Sequence, residues 1–545
     1  MNHSTAAEEM MAAELAAVRP GLLPRWRAEL PGARAAVLTR LWRALAHEPL
    51  PWITARTRGT YALALRLADG RTLHGPHADP YATAAYVTSV RLDRERYEDA
   101  ARLMTELGVP HAAGFSAELA DSAASLALSR AGAGGASGVG GVTRGASPGV
   151  TGDVSPGVTG GVSPGVTGGA SGDASGADKW PDRDWEWEQR VVDGHPYHPN
   201  CRSRPGFSVA DQLAYGPEHR PVVGLGLVEV AESACLMSGS WPDELRSSER
   251  LLVPVHPWQA DHVLGRRAVP WRAAHPLMSL RTLALPGGPH VKTALSARLT
   301  SSVRDISPYS VRASAVLSDF AAELADRTGG LLHTTRTTGA VCDHSADLAA
   351  LLRESPEEYT GPGERVLPVA ALSGTALSQS PYWMAEFTRL ALTVGLGLLD
   401  LGVALEAHGQ NLLVVLGPDN SPLRLVYRDL ADIRISPARL AGHGITPPPL
   451  TGRLITDDEP ALRAKLFGSL IGGALAATAG SGAALGTALK AALPALPDTA
   501  DLDALCRGPL PVKALTLMRL SPDTPGDQWA TLPNPLVLEP GACDQ

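Results

Sequence analysis

Three patterns predict an α+β chain with antiparallel or mixed sheets and a helical C-terminal part. The first is a pair of branched apolar runs, Leu412 to Leu416 and Leu423 to Tyr427, split by the turn residues Gly417-Pro418-Asp419-Asn420-Ser421-Pro422; this reads as a hairpin. The second is alternation of apolar and polar residues in Thr60 to Thr72 and in Val291 to Arg304, the mark of strands with one buried face. The third is an uncharged run from Leu466 to Leu489, mostly Ala, Gly, Ser and Thr and broken at Gly480-Ser481-Gly482. Its small residues and central break predict two short, closely packed buried helices rather than a membrane span.

Taken in order, the 545 residues are enough for two to four structural units with a large core. Residues 1–130 form a mixed N-terminal region, with a hairpin strand in Thr60 to Thr72 and an amphipathic helix over Asp93 to Leu107; no chemistry is assigned to it. Across 131–178 the composition collapses to Gly, Ser, Thr, Val and Pro, and SPGVTG starts at Ser147, Ser155 and Ser163. So short a unit offers no apolar face to bury, so the segment is expected to be a disordered insertion in a surface loop, where added length costs little closure entropy. Order returns at Trp180. Residues 179–385 form the next region, and 386–545 the last, with the hairpin and the C-terminal helices.

A net charge of −8 and a pI near 6.1 leave no basic field for nucleic acid or an anionic membrane. The five cysteines, Cys201, Cys235, Cys342, Cys506 and Cys543, are scattered and contain no CxxC pair, which fits a reducing cytoplasm better than a disulfide framework or zinc site. The N-terminus carries acids where a secretory leader needs positive charge, so a cytoplasmic protein is expected. Only five lysines stand against forty-three arginines, so each lysine carries more information than usual.

Chemistry-bearing residues cluster in three places. The hairpin is preceded by Glu406, His408, Gln410 and Asn411 and followed by Arg428 and Asp429; pairing its strands brings both sets to one sheet edge. An Asn and an acid held there make an oxygen set suited to Mg²⁺ carrying a nucleotide's phosphates. Between Met278 and Arg304 lie Ser279, Arg281, Thr282, Lys292, Arg298, Thr300, Ser301, Ser302 and Arg304. On one continuous strand Lys292, Ala294, Ser296, Arg298 and Thr300 share a face, and such a density of cations and hydroxyls suits phosphate or carboxylate oxygens. In HPYHPNCRSRPGF, prolines after His195 and His198 keep both imidazoles out of helices; with Arg202 and Arg204 they suit a polycarboxylate.

These motifs, HPYHPNCRSRPGF, VPVHPWQ, SLRT, KTALSARLTSSVR, EAHGQNLLVV and Arg428-Asp429, with PVKALTLMRL and Asn534-Pro535-Leu536 near the end, together resemble the IucA/IucC family of synthetases that build siderophores without a non-ribosomal assembly line. The resemblance runs from about Gly194 to Leu536. Arg202 stands where the family usually has Lys, and the repeat insertion is not a family feature. What the resemblance implies is an open-hand fold of thumb, fingers and palm, a homodimer, and Mg·ATP-dependent activation of a carboxylate, most often of citrate. An amine, hydroxylamine or alcohol then takes the acyl group, with AMP and pyrophosphate released. By the same resemblance Ser279, Arg281, Thr282, Lys292, Arg304 and Asn411 hold ATP. His195, His198, Arg202, Thr300, Ser301, His408 and Gln410 face the carboxylic substrate. Glu406, Asn411 and Asp429 form the metal side, and His408, Arg304 and Lys292 act on the reacting atoms. Two alternatives stay open: a small-molecule phosphotransferase using His408, Asn411 and Asp429, or a non-catalytic binder or reductase of ferric siderophores.

Overall fold

The computed structural model describes residues 4–60, 62–133, 180–300 and 302–537. The repeat segment therefore lies outside the described residues, save for its first three, which end the helix Ala112–Ala133. Ser301, among the expected site residues, also lies outside them.

The N-terminal region packs helices against a five-stranded antiparallel meander, Ile53–Arg58, Leu63–Leu67, Thr72–Gly75, Val90–Leu92 and Glu95–Tyr97. Thr5 opens the first helix, Ala6–Val18, through a reciprocal capping box with Glu8, satisfying donors that a helix start otherwise leaves bare. Trp26, Leu38, Trp42, Leu65 and Phe115 fill the core between helices and meander. The alternation in Thr60 to Thr72 does form hairpin strands, Leu63–Leu67 with Thr72–Gly75. The expected helix over Asp93 to Leu107 is shorter: Glu95–Tyr97 completes the meander, and the helix begins at Ala100, where the Asp99 side chain accepts from the Arg102 amide. An N-cap acid outcompetes helical continuation upstream of it.

A nine-stranded, wholly antiparallel sheet follows. Its order is Leu236–Gly239, Thr337–Cys342, Ala349–Arg353, His290–Thr293, Thr282–Ala284, Val269–Pro276, Val223–Ala231, Arg250–Val255 and Arg246–Ser247. The alternating stretch Val291 to Arg304 is not one strand. His290–Thr293 belongs to the large sheet, whereas Leu295–Leu299 and Ser302–Arg304 fold into a separate hairpin with a register shift between Leu295 and Arg298. Lys292, Ser296 and Arg298 therefore do not share a face: Lys292 is buried, Ser296 half-buried and Arg298 exposed. Gln259 of VPVHPWQ explains the break. Its amide donates to Ser296 Oγ and the Asp347 carbonyl, while its oxygen accepts from the Ser296 amide, pulling the second segment off the sheet.

The C-terminal part is built on a four-stranded mixed sheet, Arg365–Pro368, Leu412–Leu416, Pro422–Tyr427 and Leu332–Thr334, in which only the last pair is parallel. The hairpin expected from the sequence is its centre, with Leu412 opposite Tyr427. The long helix Pro381–Leu401 covers the sheet, and Phe387, Leu399, Leu412 and Tyr427 share one core with the C-terminal helices. The uncharged run forms the expected pair of helices: Glu459–Ala479, π-wound over Phe467–Leu475, and a second bent from it by 115° after Gly480. Among the described residues, no single helix is long and apolar enough to cross a membrane.

Candidate active site

Hairpin pairing sets the first wall of the site. The Arg428 amide donates to the Asn411 carbonyl at 3.0 Å, so the ends of the two strands are neighbours and Asp429 lies beside the turn Glu406 to Asn411. That turn is tight: His408 donates to the Glu406 carbonyl, and the amides of Asn411 and Leu412 donate to His408. Arg428 closes it from below, giving two hydrogen bonds to the Gln410 carbonyl, at 3.1 and 2.8 Å.

The large sheet supplies the second wall. Lys292 reaches across and donates to both Asp429 oxygens at 2.8 Å, and Arg353 lies 3.7 Å from the same carboxylate. Arg281 donates to the carbonyls of Arg304 and Asp305, pinning the separate hairpin beside this pair. Burial pushes Asp429 toward its neutral form, but Lys292, Arg353 and Arg281 outweigh it, and its pKa falls below the usual carboxylate range. Burial also lowers Arg281, Lys292 and Arg304. Four cations thus converge on one carboxylate, and Asp429 remains 30% accessible. Such an excess of positive charge in a partly desolvated cleft is suited to a polyanion.

Backbone strain marks the same place. Leu280, Thr300 and Asp429 have positive φ values of 62°, 59° and 71°, an unusual conformation for residues with a side chain and one that concentrates at working sites. The Ser279 hydroxyl and His198 Nε2 are buried without a hydrogen-bond partner among the described residues, so each has capacity for a bound group.

The third wall is the HPYHP turn. His195 Nδ1 accepts from the amides of Tyr197 and His198, which leaves Nε2 free on an exposed ring. Burial counts for less at this exposed residue, and the charges of His198, His408, Arg40 and Arg43 around it, more than burial, are what lower its pKa. Burial, followed by Arg304 and Arg519, takes His198 down to about 3, and burial lowers His408 as well. All three imidazoles are neutral at neutral pH, and the HPYHP turn and His408 turn face each other.

Several expectations need correction. Arg202 does not reach the cleft: its guanidinium donates to the carbonyls of Val191 and Val192 and pairs with Glu218 at 3.5 Å. The guanidinium is satisfied within the protein and, at 5% accessible, is out of reach of a ligand. Glu406 is not placed as a metal ligand. Its Oε1 is taken by Lys513 at 2.6 Å and Lys465 at 3.2 Å, and both lysines also pair with Asp527. No group of three or more His, Cys, Asp or Glu suited to a metal occurs among the described residues. Asp429 is also engaged, with both oxygens on Lys292, but unlike Glu406 it stays 30% accessible. With Asn411 it therefore fits an ion that arrives on a polyphosphate and displaces the lysine, because Mg²⁺ needs only one or two protein oxygens when phosphates supply others.

The N-terminal region, given no chemistry by its sequence, builds the HPYHP wall. Arg40 donates to the His195 carbonyl at 3.1 Å, Arg43 stacks 4.2 Å over the Tyr197 ring, and Glu118 binds both Asn200 and Arg519. No local pattern distinguishes these residues from a solvated helix face. Arg353 was missed for a similar reason, being one arginine in an apolar strand, Ala349–Arg353.

A profile of the IucA / IucC family matches residues 184–374, and one described as ferric iron reductase FhuF-like transporter matches residues 381–527. The citryl-spermidine/3,4-dihydroxybenzoyl-citryl-spermidine:spermidine ligase of Bacillus anthracis is 25% identical over 309 residues, 45% of this chain and 50% of that protein. The chain thus spans about half the length of this curated relative. The crystal structure of the petrobactin biosynthesis protein AsbB from Bacillus anthracis superposes with a TM-score of 0.70 at 17% identity over 98% of both chains. ATP-bound aerobactin synthetase IucA from Klebsiella pneumoniae gives 0.67 at 18% identity, over 92% of this chain and 99% of that one. The fold is shared with these structures along nearly the whole length, and the HPYHP turn, VPVHPWQ, SLRT and the Lys292 strand all fall inside residues 184–374, the segment that is similar to the IucA/IucC family.

Proposed function

We propose that this chain is an ATP-dependent siderophore synthetase that adenylates a carboxylate, citrate or a citrate derivative, and transfers the acyl group to an amine, hydroxylamine or alcohol. The observation that carries this reading is the convergence of Arg281, Lys292, Arg304 and Arg353 around Asp429, opposite a wall of neutral imidazoles. The relatives point the same way: one is named as a ligase of citryl-spermidine, and a solved structure of the same fold holds ATP.

In this reading Ser279, Arg281, Thr282, Lys292, Arg304 and Asn411 hold the nucleotide. When a substrate carboxylate attacks the α-phosphorus, negative charge grows on the phosphate oxygens, and cations already gathered around Asp429 offset it. His195, His198, Thr300, Ser301, His408 and Gln410 face the acid and hold its carboxylate in line. Pyrophosphate leaves with the bonding electrons, the nucleophile attacks the acyl carbon, and AMP leaves. His408, kept neutral by burial, can take the nucleophile's proton. Mg²⁺, held by Asp429 and Asn411, would screen and orient the pyrophosphate.

The match of residues 381–527 to a ferric-reductase profile favours a second reading, a handler of ferric siderophores. That segment contains one cysteine, Cys506, too few for a thiolate-held cluster. The products decide. With citrate, 2-oxoglutarate, succinate or their monoamides plus ATP and hydroxylamine, a synthetase yields a hydroxamate with AMP and pyrophosphate. ADP would mean a phosphotransferase, and no nucleotide turnover with any acid would leave the binder.

A further inference from the structure

The two walls of the nucleotide half come from different sheets, and a buried set of charges joins them. Asp184 and Glu188 lie on the short helix Asp184–Glu188. Asp184 pairs with His290 at 2.9 Å, both 1% accessible; His290 is two residues before Lys292 and on the same side of their strand. Glu188, fully buried, pairs through Oε1 with Arg428 at 2.6 Å. Through Oε2 it accepts from the Met278 amide at 3.0 Å. Arg428 in turn holds the Gln410 carbonyl. One carboxylate is therefore bonded to the loop that leads into Ser279, Arg281 and Thr282, and, through one guanidinium, to the turn that carries Asn411.

We propose that Glu188 and Arg428 are a positioning pair that sets the spacing of the two nucleotide-binding loops, and hence affinity for ATP, without touching substrate. This rests on the ATP-dependent reading above. The geometry favours an effect on ATP over one on the acid. Glu188 holds the amide of Met278, which leads into Ser279, Arg281 and Thr282. Arg428 holds the acid-facing Gln410 only by its main-chain carbonyl, beside Asn411, whereas the HPYHP turn, the larger part of the acid side, is held independently by Arg40, Glu118 and Ser122. In a pair this deeply buried, 5% and 0% accessible, losing one member leaves the other poorly compensated, so it must shift toward another partner, and the loop moves with it.

The test is titration calorimetry of ATP with the full-length chain, alongside the KM for the acid in acid-dependent pyrophosphate release. Glu188→Gln keeps the shape and an oxygen for the Met278 amide but removes the charge. It should weaken ATP binding about tenfold or more while the acid's KM stays within about threefold. Arg428→Gln should do the same, and Arg428→Lys, which keeps the charge but loses the fork, should fall between it and wild type. If a single variant does not fold, the double variant Glu188→Gln/Arg428→Gln leaves no unpaired buried charge and should fold with the same weakened ATP binding. Unchanged ATP affinity, equal losses for ATP and acid, or failure of both single and double variants to fold would overturn the proposal. A wild-type chain that binds ATP but releases no acid-dependent pyrophosphate would instead sink the synthetase reading and leave the affinity arm of this test standing.

Discussion

Lys292, Lys465 and Lys513 are three of the five lysines in the chain, and each ends on a carboxylate at the site: Lys292 on Asp429, the other two on Glu406 and Asp527. Where arginine is the default cation, a retained lysine marks a place where a compact point charge with a movable proton serves better than a planar fork. Arg304 and His408 flank these pairs, and if both face the α-phosphate and attacking carboxylate, each acts before any acyl-adenylate exists. Arg304→Ala and His408→Ala should then abolish acid-dependent pyrophosphate release even with no nucleophile present, a loss on the order of 3 kcal/mol or more in transition-state stabilisation. Should His408→Ala still release pyrophosphate and stall only when the amine is added, the imidazole serves the second half-reaction alone. Arg202 belongs to a different class. Since its donors go to Val191, Val192 and Glu218, Arg202→Ala should lower stability by about 2–3 kcal/mol in urea unfolding and leave the KM of the acid near wild type. A KM for the acid that rises tenfold in a fully stable variant would return Arg202 to the substrate pocket.

At the scale of elements, the Glu406 cluster depends on how closely one helix approaches one strand. A Cβ built at Gly472, in the π-wound stretch, would sit 2.5 Å from Val512 Cγ1 of the strand Leu510–Lys513. Gly472→Ala should therefore push apart the elements that bring Lys465 and Lys513 onto Glu406, costing about 1–3 kcal/mol and lowering turnover; a variant of wild-type melting temperature and rate would show that the helix can shift freely. This contact also shows where sequence reading stops. The hairpin Leu412 to Tyr427 was legible because local signals, branched runs and a Gly-Pro-Asp-Asn turn, all agree with its final pairing. The helix pair after Leu466 was legible for the same reason. Val291 to Arg304 was misread because its alternation holds on both sides of Ala294, while the break is imposed by Gln259, some thirty-five residues away. In the site, motif residues such as Lys292 and Asp429 could be named, but not that they bond each other. Glu406 was misassigned because its neutralising partners, Lys465 and Lys513, come from later elements.

Across the whole molecule, the packing that brings these regions together buries histidines in their neutral form. Burial takes His198 and His256 down to about 3, and His47 and His219 to about 4, from 6.5. His47 and His198 lie in or against the N-terminal region, His219 beside Glu218, and His256 under the large sheet, so the four sample most of the fold. Each takes up a proton in the unfolded chain below pH 6.5 but not in the folded one, so the unfolded state gains protons and stability is lost as pH falls through the window from 6.5 to about 4. Glu48 acts in the opposite sense. Buried where the amides of Thr516 and Leu517 donate to it, it is pushed up to about 7 from 4.5, so it takes up a proton in the folded state first and contributes stability as pH falls through 7. At a pH of about 5.5 the four histidines together cost about 5–6 kcal/mol and Glu48 returns about 2, leaving a net loss of roughly 3–4 kcal/mol relative to neutral pH. Urea unfolding at a series of pH values should show the midpoint falling steadily from pH 7 to 5.5, and His256→Gln should remove about a quarter of the histidine contribution to that slope. A midpoint that stays flat or rises as the solution is acidified would mean that these imidazoles are reached by solvent and protonate in the folded protein, and the cleft walls they support would be looser than the packing described above.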